Sequence, residues 1–330
     1  MLRPRLTAVP EIRDDDLPES LYHYTDVGGL HGILKSKKLY ATHVAYLNDS
    51  QETLYGMQVG IDQLKELGRE TPQELIDACG QDDLLRFLVQ VLDKVSLAGL
   101  ALEFQKKKLV VRHHLGPFVT CLSTKRDQLS QWRGYGRGGG YAIRFDPQGL
   151  FNSVRLKREG YIKVVEKKQI DFPYPIGQAH FIKMDYDSKS NDLVVKNFLI
   201  KHLIAHSDNI RNMRTEEDRD AILLSLLDGL TIIAMRMKNP GFKQENEYRF
   251  ATFDIPYPAL FSPSQMGIVP RVEFSFDPSC VKEVWIGPGL HMEAREFSVR
   301  CYLDTTHDKV GNLIYPHVEV KVSETPYRGD

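Results

Sequence analysis

The chain has 330 residues, 42% hydrophobic and 26% charged, so it is long enough to bury a sizeable core without disulfides or metal. Its 43 basic and 44 acidic side chains leave a formal net charge of −1, which argues against a globally electrostatic nucleic-acid binder. Cys79, Cys121, Cys280 and Cys301 lie far apart and form no CxxC pair, which disfavours a zinc site or a disulfide framework and points to a reducing, cytoplasmic compartment.

Residues 1–20 read as a loosely ordered leader that lacks the apolar core of a signal peptide. Leu21–Tyr24 predicts a short strand. Val27–Ser36, with Leu30, Ile33 and Leu34 at helical spacing, predicts a short helix. Leu39–Ala45 reads as a strand, Asn48–Ser50 as a turn and helix cap, and a helix is expected from about Gln51 to Leu67. Residues 72–108 read as helical, with Leu84, Leu85, Leu88, Val89 and Leu92 on one side. Phe118–Ser123 and Tyr141–Asp146 are the clearest strands, and a polar, Gly-rich connection joins them. Short strands and loops are expected over residues 150–185. Helices follow at Asp192–Ala205 and Glu216–Lys238, closed by Asn239-Pro240-Gly241. The longest apolar run, Ala221–Met235, is interrupted by Ser225, Asp228 and Gly229 and is too short to span a bilayer, so no membrane partner is expected. Glu245–Phe253 returns to a strand, and Arg271–Phe276, Val281–Ile286, Phe297–Tyr302 and Val318–Val322 read as further strands. Strands at both ends with helices between them imply an α+β fold: one domain over residues 21–330 with a helical insertion at about 186–240.

Four segments carry residue types suited to chemistry. In Leu21-Tyr22-His23-Tyr24-Thr25 a strand would place His23 on one face with Leu21 and Thr25, and Tyr22 and Tyr24 on the other. His23 and Thr25 suit hydrogen bonding to a sugar hydroxyl or phosphate; a core histidine satisfied by backbone is the plainer alternative. In Asn48-Asp49-Ser50-Gln51-Glu52 the acidic Asp49 and Glu52, three apart, face one side of a helix start; a simple helix cap explains the same pattern. The third runs from Ser123 through Lys125, Arg126 and Asp127 to Trp132, Arg133, Tyr135 and Arg137, with five glycines between positions 134 and 140 and Arg144 beyond. It could present N–H and guanidinium groups to phosphate and flat aromatic faces to a base, or be a solvated basic loop. It is neither a P-loop nor a Rossmann fingerprint. The fourth, Gln244-Glu245-Asn246-Glu247-Tyr248-Arg249-Phe250, read as a strand, groups Glu245, Glu247 and Arg249 on one face. Such a cluster could bind ribose hydroxyls or favour an oxocarbenium-like centre; an exposed strand of alternating charges is the other reading. His113-His114 has no partner at metal-ligand spacing, and no metal is expected.

Together, His-Tyr-Thr near the start, Asn-Asp-x-x-Glu, the Ser123…Trp132…Tyr135 run and Glu-x-Glu-Tyr-Arg resemble the bacterial domain-of-unknown-function family numbered twenty-nine seventy-one, in blocks from about Leu21 to Gly289. That family implies no activity. More distantly, Leu21–Thr25 followed by Gly29, Leu30, Ile33, Leu34, Lys37 and Leu39 resembles the opening of ADP-ribosyltransferase-like domains. This resemblance implies two small sheets forming a cleft, with NAD as substrate and no metal. It makes His23 the ribose contact and Glu247 or Glu245 the late glutamate at the reacting ribose, and Glu-x-Glu is similar to the paired glutamates of the arginine-modifying branch. The aromatic that stacks on nicotinamide is open among Tyr40, Tyr46, Trp132 and Tyr135. The catalytic set is therefore His23, Glu245 and Glu247. The nucleotide-holding set is Tyr24, Thr25, Asn48, Asp49, Glu52, Ser123, Trp132, Arg133, Tyr135 and Arg249. The implied reaction is ADP-ribose transfer to a protein or nucleic acid, or hydrolysis of NAD, and by analogy a role as toxin or phage-defence effector. Two other readings stand beside it: a non-catalytic nucleotide-sensing or protein-interaction module, and a nucleic-acid-processing protein using the basic segment 125–144.

Overall fold

The computed structural model describes residues 17–47, 51–94, 114–115, 118–136, 139–153, 155–156, 180–252, 255–256, 260–264 and 267–326. Runs of alternating and apolar residues form strands β1 (Leu21–Thr25), β2 (Lys38–His43), β3 (His114–Leu115), β4 (Phe118–Ser123), β5 (Tyr141–Phe145), β6 (Arg155–Leu156), β7 (His180–Lys183), β8 (Glu247–Thr252), β9 (Ile255–Pro256), β10 (Leu260–Ser264), β11 (Gly267–Ser275), β12 (Val281–Ile286) and β13 (Glu319–Val322). The helices are α1 (Val27–Ser36), α2 (Gln51–Arg69), α3 (Gln73–Cys79), α4 (Gln81–Lys94), α5 (Leu129–Tyr135), α6 (Pro147–Ser153), α7 (Ser188–Ala205), α8 (Ser207–Arg211), α9 (Glu216–Ala234) and α10 (Met292–Thr305). The fold is α+β.

Eleven strands form one sheet, and β3 pairs with β9 apart from it. The main path runs β10-β11-β2-β4-β1-β5-β12-β13, antiparallel except for the parallel pair β12–β13, and β4 also pairs with β8, which pairs with β7. This is one hydrogen-bonded network rather than two separate small sheets. Its irregularity lies at β4. One edge of β4 pairs with β8 along its whole length, from Phe118↔Thr252 to Ser123↔Glu247. The other edge is shared: Phe118 and Val119 pair with β2, whereas only Ser123 pairs with β1, opposite Tyr22. Residues 120–122 thus face a gap where β1 and β2 diverge.

Two apolar cores hold the layers. One collects sheet residues such as Leu21, Phe118, Phe145, Phe250 and Phe274 with α1 and α10. The other is helical and draws on two stretches of chain, Met57–Val91 and Val195–Met237. The helical layer is therefore larger than an insertion at 186–240, because α2, α3 and α4 share its core. α2 and α9 pack closely through Gly56, where an added Cβ would come within 2.4 Å of the Ala234 methyl carbon.

The caps follow the sequence. Asp26 accepts the Gly29 N–H at 2.7 Å to start α1, and Lys37, in the left-handed conformation at φ 57°, ends it. Residues 72–94 are two helices rather than one, broken at Gly80 (φ 78°), and the rest of the expected helix to 108 lies outside the described residues. The expected strand Phe297–Tyr302 is instead part of α10. Val299 and Leu303, four apart, bury one helical face, Phe297 stays 70% exposed, and Arg300 pairs with Glu296 one turn back. The short apolar run mimicked a strand because its charged flanks, which carry the helical period, lay outside the window. No described helix is long and apolar enough to cross a membrane.

Candidate functional site

The gap along β4 leaves the Cys121 carbonyl without a strand partner on that side, and a buried carbonyl needs one. The His23 ring supplies it: Nδ1 lies 3.0 Å from Cys121 O. A carbonyl only accepts, so Nδ1 carries the proton, and burial, against the pull of this hydrogen bond, lowers the pKa of His23 and keeps it neutral. Nε2 is then the acceptor nitrogen. His23 is thus a backbone-satisfied histidine, and it also lines the cavity beside the gap.

That cavity, of about 70 Å³, is lined by Tyr22, His23, Tyr24, Cys121, Leu122, Ser123, Gln131, Tyr135, Glu245 and Glu247. A cavity of that size takes a small group or part of a sugar rather than a whole dinucleotide.

The chain delivers the two glutamates by a turn. Glu245 ends a 3-10 segment, Pro240–Glu245, not the strand expected there, and Asn246 takes the left-handed conformation at φ 46° before Glu247 opens β8. Asn tolerates that region better than most residues. Ser123, buried on β4, donates from Oγ to Glu245 O at 2.7 Å and accepts the Lys125 N–H. The Thr124 N–H donates to Asn246 O at 3.1 Å. The turn is thus clamped to the end of β4.

Glu247 is 5% exposed and ion-paired on both oxygens: Lys238 Nζ lies 2.5 Å from Oε2 and Arg249 Nε 2.5 Å from Oε1. Lys238, 4% exposed, also lies 2.5 Å from Glu245 Oε2. Burial alone would raise the Glu247 pKa, but the Arg249 and Lys238 charges and the Cys121 thiol outweigh it and hold the carboxyl well below the usual range. The phenol of Tyr186 accepts the Glu247 N–H at 2.9 Å. Burial, followed by Cys121 and the nearby glutamates, pushes the Tyr135 hydroxyl pKa up. Tyr135 is nonetheless 37% exposed as a residue, and it lines the cavity.

Other expected site residues take supporting or remote places. Trp132 is 3% exposed, edge-on to Tyr24 at 4.7 Å, and donates from Nε1 to Asp127 Oδ1 at 2.9 Å, so its faces are taken up by the core. Tyr24 donates to Lys125 O at 2.7 Å. Thr25 packs against Gly29, where a Cβ would come within 1.8 Å of Thr25 Oγ1, and it does not line the cavity. Arg133 is exposed on α5, and Arg249 lies beneath the cavity as a partner of Glu247. Tyr40 is exposed on β2 beneath Arg271, and Tyr46 stands edge-on to His43. Neither lines the cavity. Asn48, Asp49 and the Glu52 side chain lie outside the described residues.

The Gly-rich segment does not present N–H groups to a phosphate over its described part. The Gly139 and Gly140 carbonyls turn to Arg295 of α10, and Gly140 O also accepts the Gly287 N–H at 3.1 Å. Arg144 is ion-paired with Glu283 at 3.1 Å. Arg137 and Gly138 lie outside the described residues. No group of three or more potential metal ligands occurs among the described residues.

Lys238 and Tyr186 were not legible as site residues. Lys238 follows an apolar helix with no local motif, and the 3-10 segment Pro240–Glu245 turns the chain back so that it meets the glutamates.

A family model described as a protein of unknown function (DUF2971) matches residues 131–250, just over a third of the chain. That segment holds Trp132, Tyr135, Tyr186, Lys238 and the Glu-x-Glu-Tyr-Arg run. No curated protein and no solved structure matches the chain.

Proposed function

We propose that this cavity is the ribose end of an NAD site in an ADP-ribosyltransferase-like protein, which transfers ADP-ribose to a macromolecule or hydrolyses NAD. The observation that carries the reading is convergence: His23, Tyr135, Glu245 and Glu247, from three distant segments, line one small polar cavity. The divergence of β1 and β2 along β4 serves as the cleft of that fold.

The chemistry needs two things the residues can supply. Neutral His23, anchored through Nδ1, offers Nε2 to a ribose hydroxyl. As nicotinamide leaves, positive charge develops at the anomeric carbon, and the ionised Glu247, with Glu245 beside it, stabilises that state more than the ground state. The partly exposed ring of Tyr135 is the best placed of the four aromatics to stack on a planar leaving group. The cavity size fits a ring or part of a sugar, so the rest of the nucleotide would lie outside it.

One feature favours a sensing module instead: both Glu247 oxygens are already engaged by cations. Labelled NAD decides. Incubated with cell lysate, the protein should release nicotinamide and label an acceptor, and His23→Ala and Glu247→Gln should each cut release about 100-fold or more. Binding without release would establish the sensor; no binding would leave only a likeness of fold.

A further inference from the structure

We infer that Lys238 is the positioning residue of this site, holding the Glu245 and Glu247 carboxylates in place without touching ligand; this rests on the reading of the cavity as the site of the proposed reaction.

The geometry is specific. One ammonium lies 2.5 Å from a carboxylate oxygen of each glutamate, so it ties the more exposed Glu245 to the buried Glu247. It arrives from the helical layer. α9 ends at Ala234, Met237 bridges Asp185, and the Lys238 N–H donates to Asp185 O at 3.0 Å, which fixes the backbone beside the site. The Lys238 ammonium lies over the Phe242 ring, with Nζ 5.2 Å from the ring centroid. Lys238 is absent from the lining of the cavity, so it acts through the glutamates.

Charge bookkeeping gives the reason. Lys238 and Arg249 are the cations paired with Glu247, and Lys238 also pairs with Glu245. The other titratable groups facing it are Tyr135 on α5, Tyr186 before α7, Cys121 on β4 and His23 on β1. Burial keeps the tyrosines and His23 neutral, so none of these replaces a lost cation. Without Lys238, the two carboxylates would lose the ammonium they share, and one would take up a proton at higher pH. The charge that favours the departing nicotinamide would fall with it.

The test titrates the carboxyl carbons of Glu245 and Glu247 by 13C NMR in wild type, Lys238→Met and Lys238→Arg, with near-UV circular dichroism to verify packing. Lys238→Met should raise one of the two titrations by about one pH unit or more, and Lys238→Arg should restore it. In the release assay, Lys238→Met should move the acid limb upward and lower kcat about tenfold or more, with KM for NAD changed less than about threefold. If Lys238→Met does not fold, Lys238→Met with Glu247→Gln, which removes one buried negative charge, should still raise the Glu245 titration above that of Glu247→Gln alone. Unchanged titration in a folded variant overturns the role of Lys238. Absence of nicotinamide release from wild type overturns the enzymatic reading instead, and the titration still decides Lys238.

Discussion

A carboxylate as enclosed as that of Glu247 stays ionised only because cations face both of its oxygens. Its folded pKa lies below the ordinary value, so the stability it contributes is present above about pH 4.5 and is lost as pH falls through the lowered folded value. Arg249→Met removes one of the two partners and should cost about 3–5 kcal/mol at pH 7 in urea unfolding. The difference from wild type should shrink as the pH falls toward about 2, because Glu247 takes up a proton in the variant before it does in the wild type. A constant difference across that range would mean that Arg249 acts by packing alone. The Glu and Arg residues of this cluster were legible as chemistry in the sequence, because Glu-x-Glu-Tyr-Arg concentrates charge in a run bound for a sheet. Their pairing was legible only in part: Glu247 and Arg249 share a strand face as alternation predicts, whereas Glu245 joins through Lys238 and a left-handed Asn246.

At the level of elements, α7 carries a second buried titratable pair. His202 and His206, one turn apart, have ring centroids 4.4 Å apart, and His202 Nε2 has no hydrogen-bond partner among the described residues. Burial, then the neighbouring His206, lowers the His202 pKa to about 3. A histidine with a depressed folded pKa contributes stability above its unfolded value near 6.5, and this is lost as pH falls from there toward about 3. His202→Leu should leave stability at pH 7 equal or higher. It should also remove about 2–3 kcal/mol of the loss otherwise seen between pH 6.5 and 4, measured by urea unfolding at each pH. An identical acid profile in the variant would show that the ring is not the proton acceptor. The helical period of α7 was readable from its apolar spacing, but the same reading failed for α10. There, Val299 and Leu303 meet the sheet one turn apart and leave Phe297 outside, an arrangement set by what α10 packs against rather than by its own run of residues.

At the level of the molecule, near-neutral charge and the internal use of arginines bear on the nucleic-acid reading. Arg144 pairs with Glu283, and Arg295 binds three backbone carbonyls, those of Gly139, Gly140 and Gly287. Neither is spare for phosphate. Binding to a polynucleotide at about 0.15 M salt should therefore be weak, with a shallow dependence of log K on log salt in a fluorescence anisotropy titration. A steep slope that Arg133→Ala reduces by about one would instead support an exposed basic track on α5.

The α+β class, the site-bearing strands and the acidic and aromatic side chains in the cavity were determined by the sequence, because hydrophobic periodicity and local charge density are properties of neighbouring residues. What joins them was decided only by tertiary structure. The gap along β4 exists because β1 and β2 share one edge of that strand, and it turns His23 from a strand residue into the partner of the Cys121 carbonyl. The ammonium between the two glutamates reaches them across the 3-10 turn that follows α9, and the helical layer that α9 belongs to is built from two segments more than a hundred residues apart, brought together by apolar burial that local residue order does not encode.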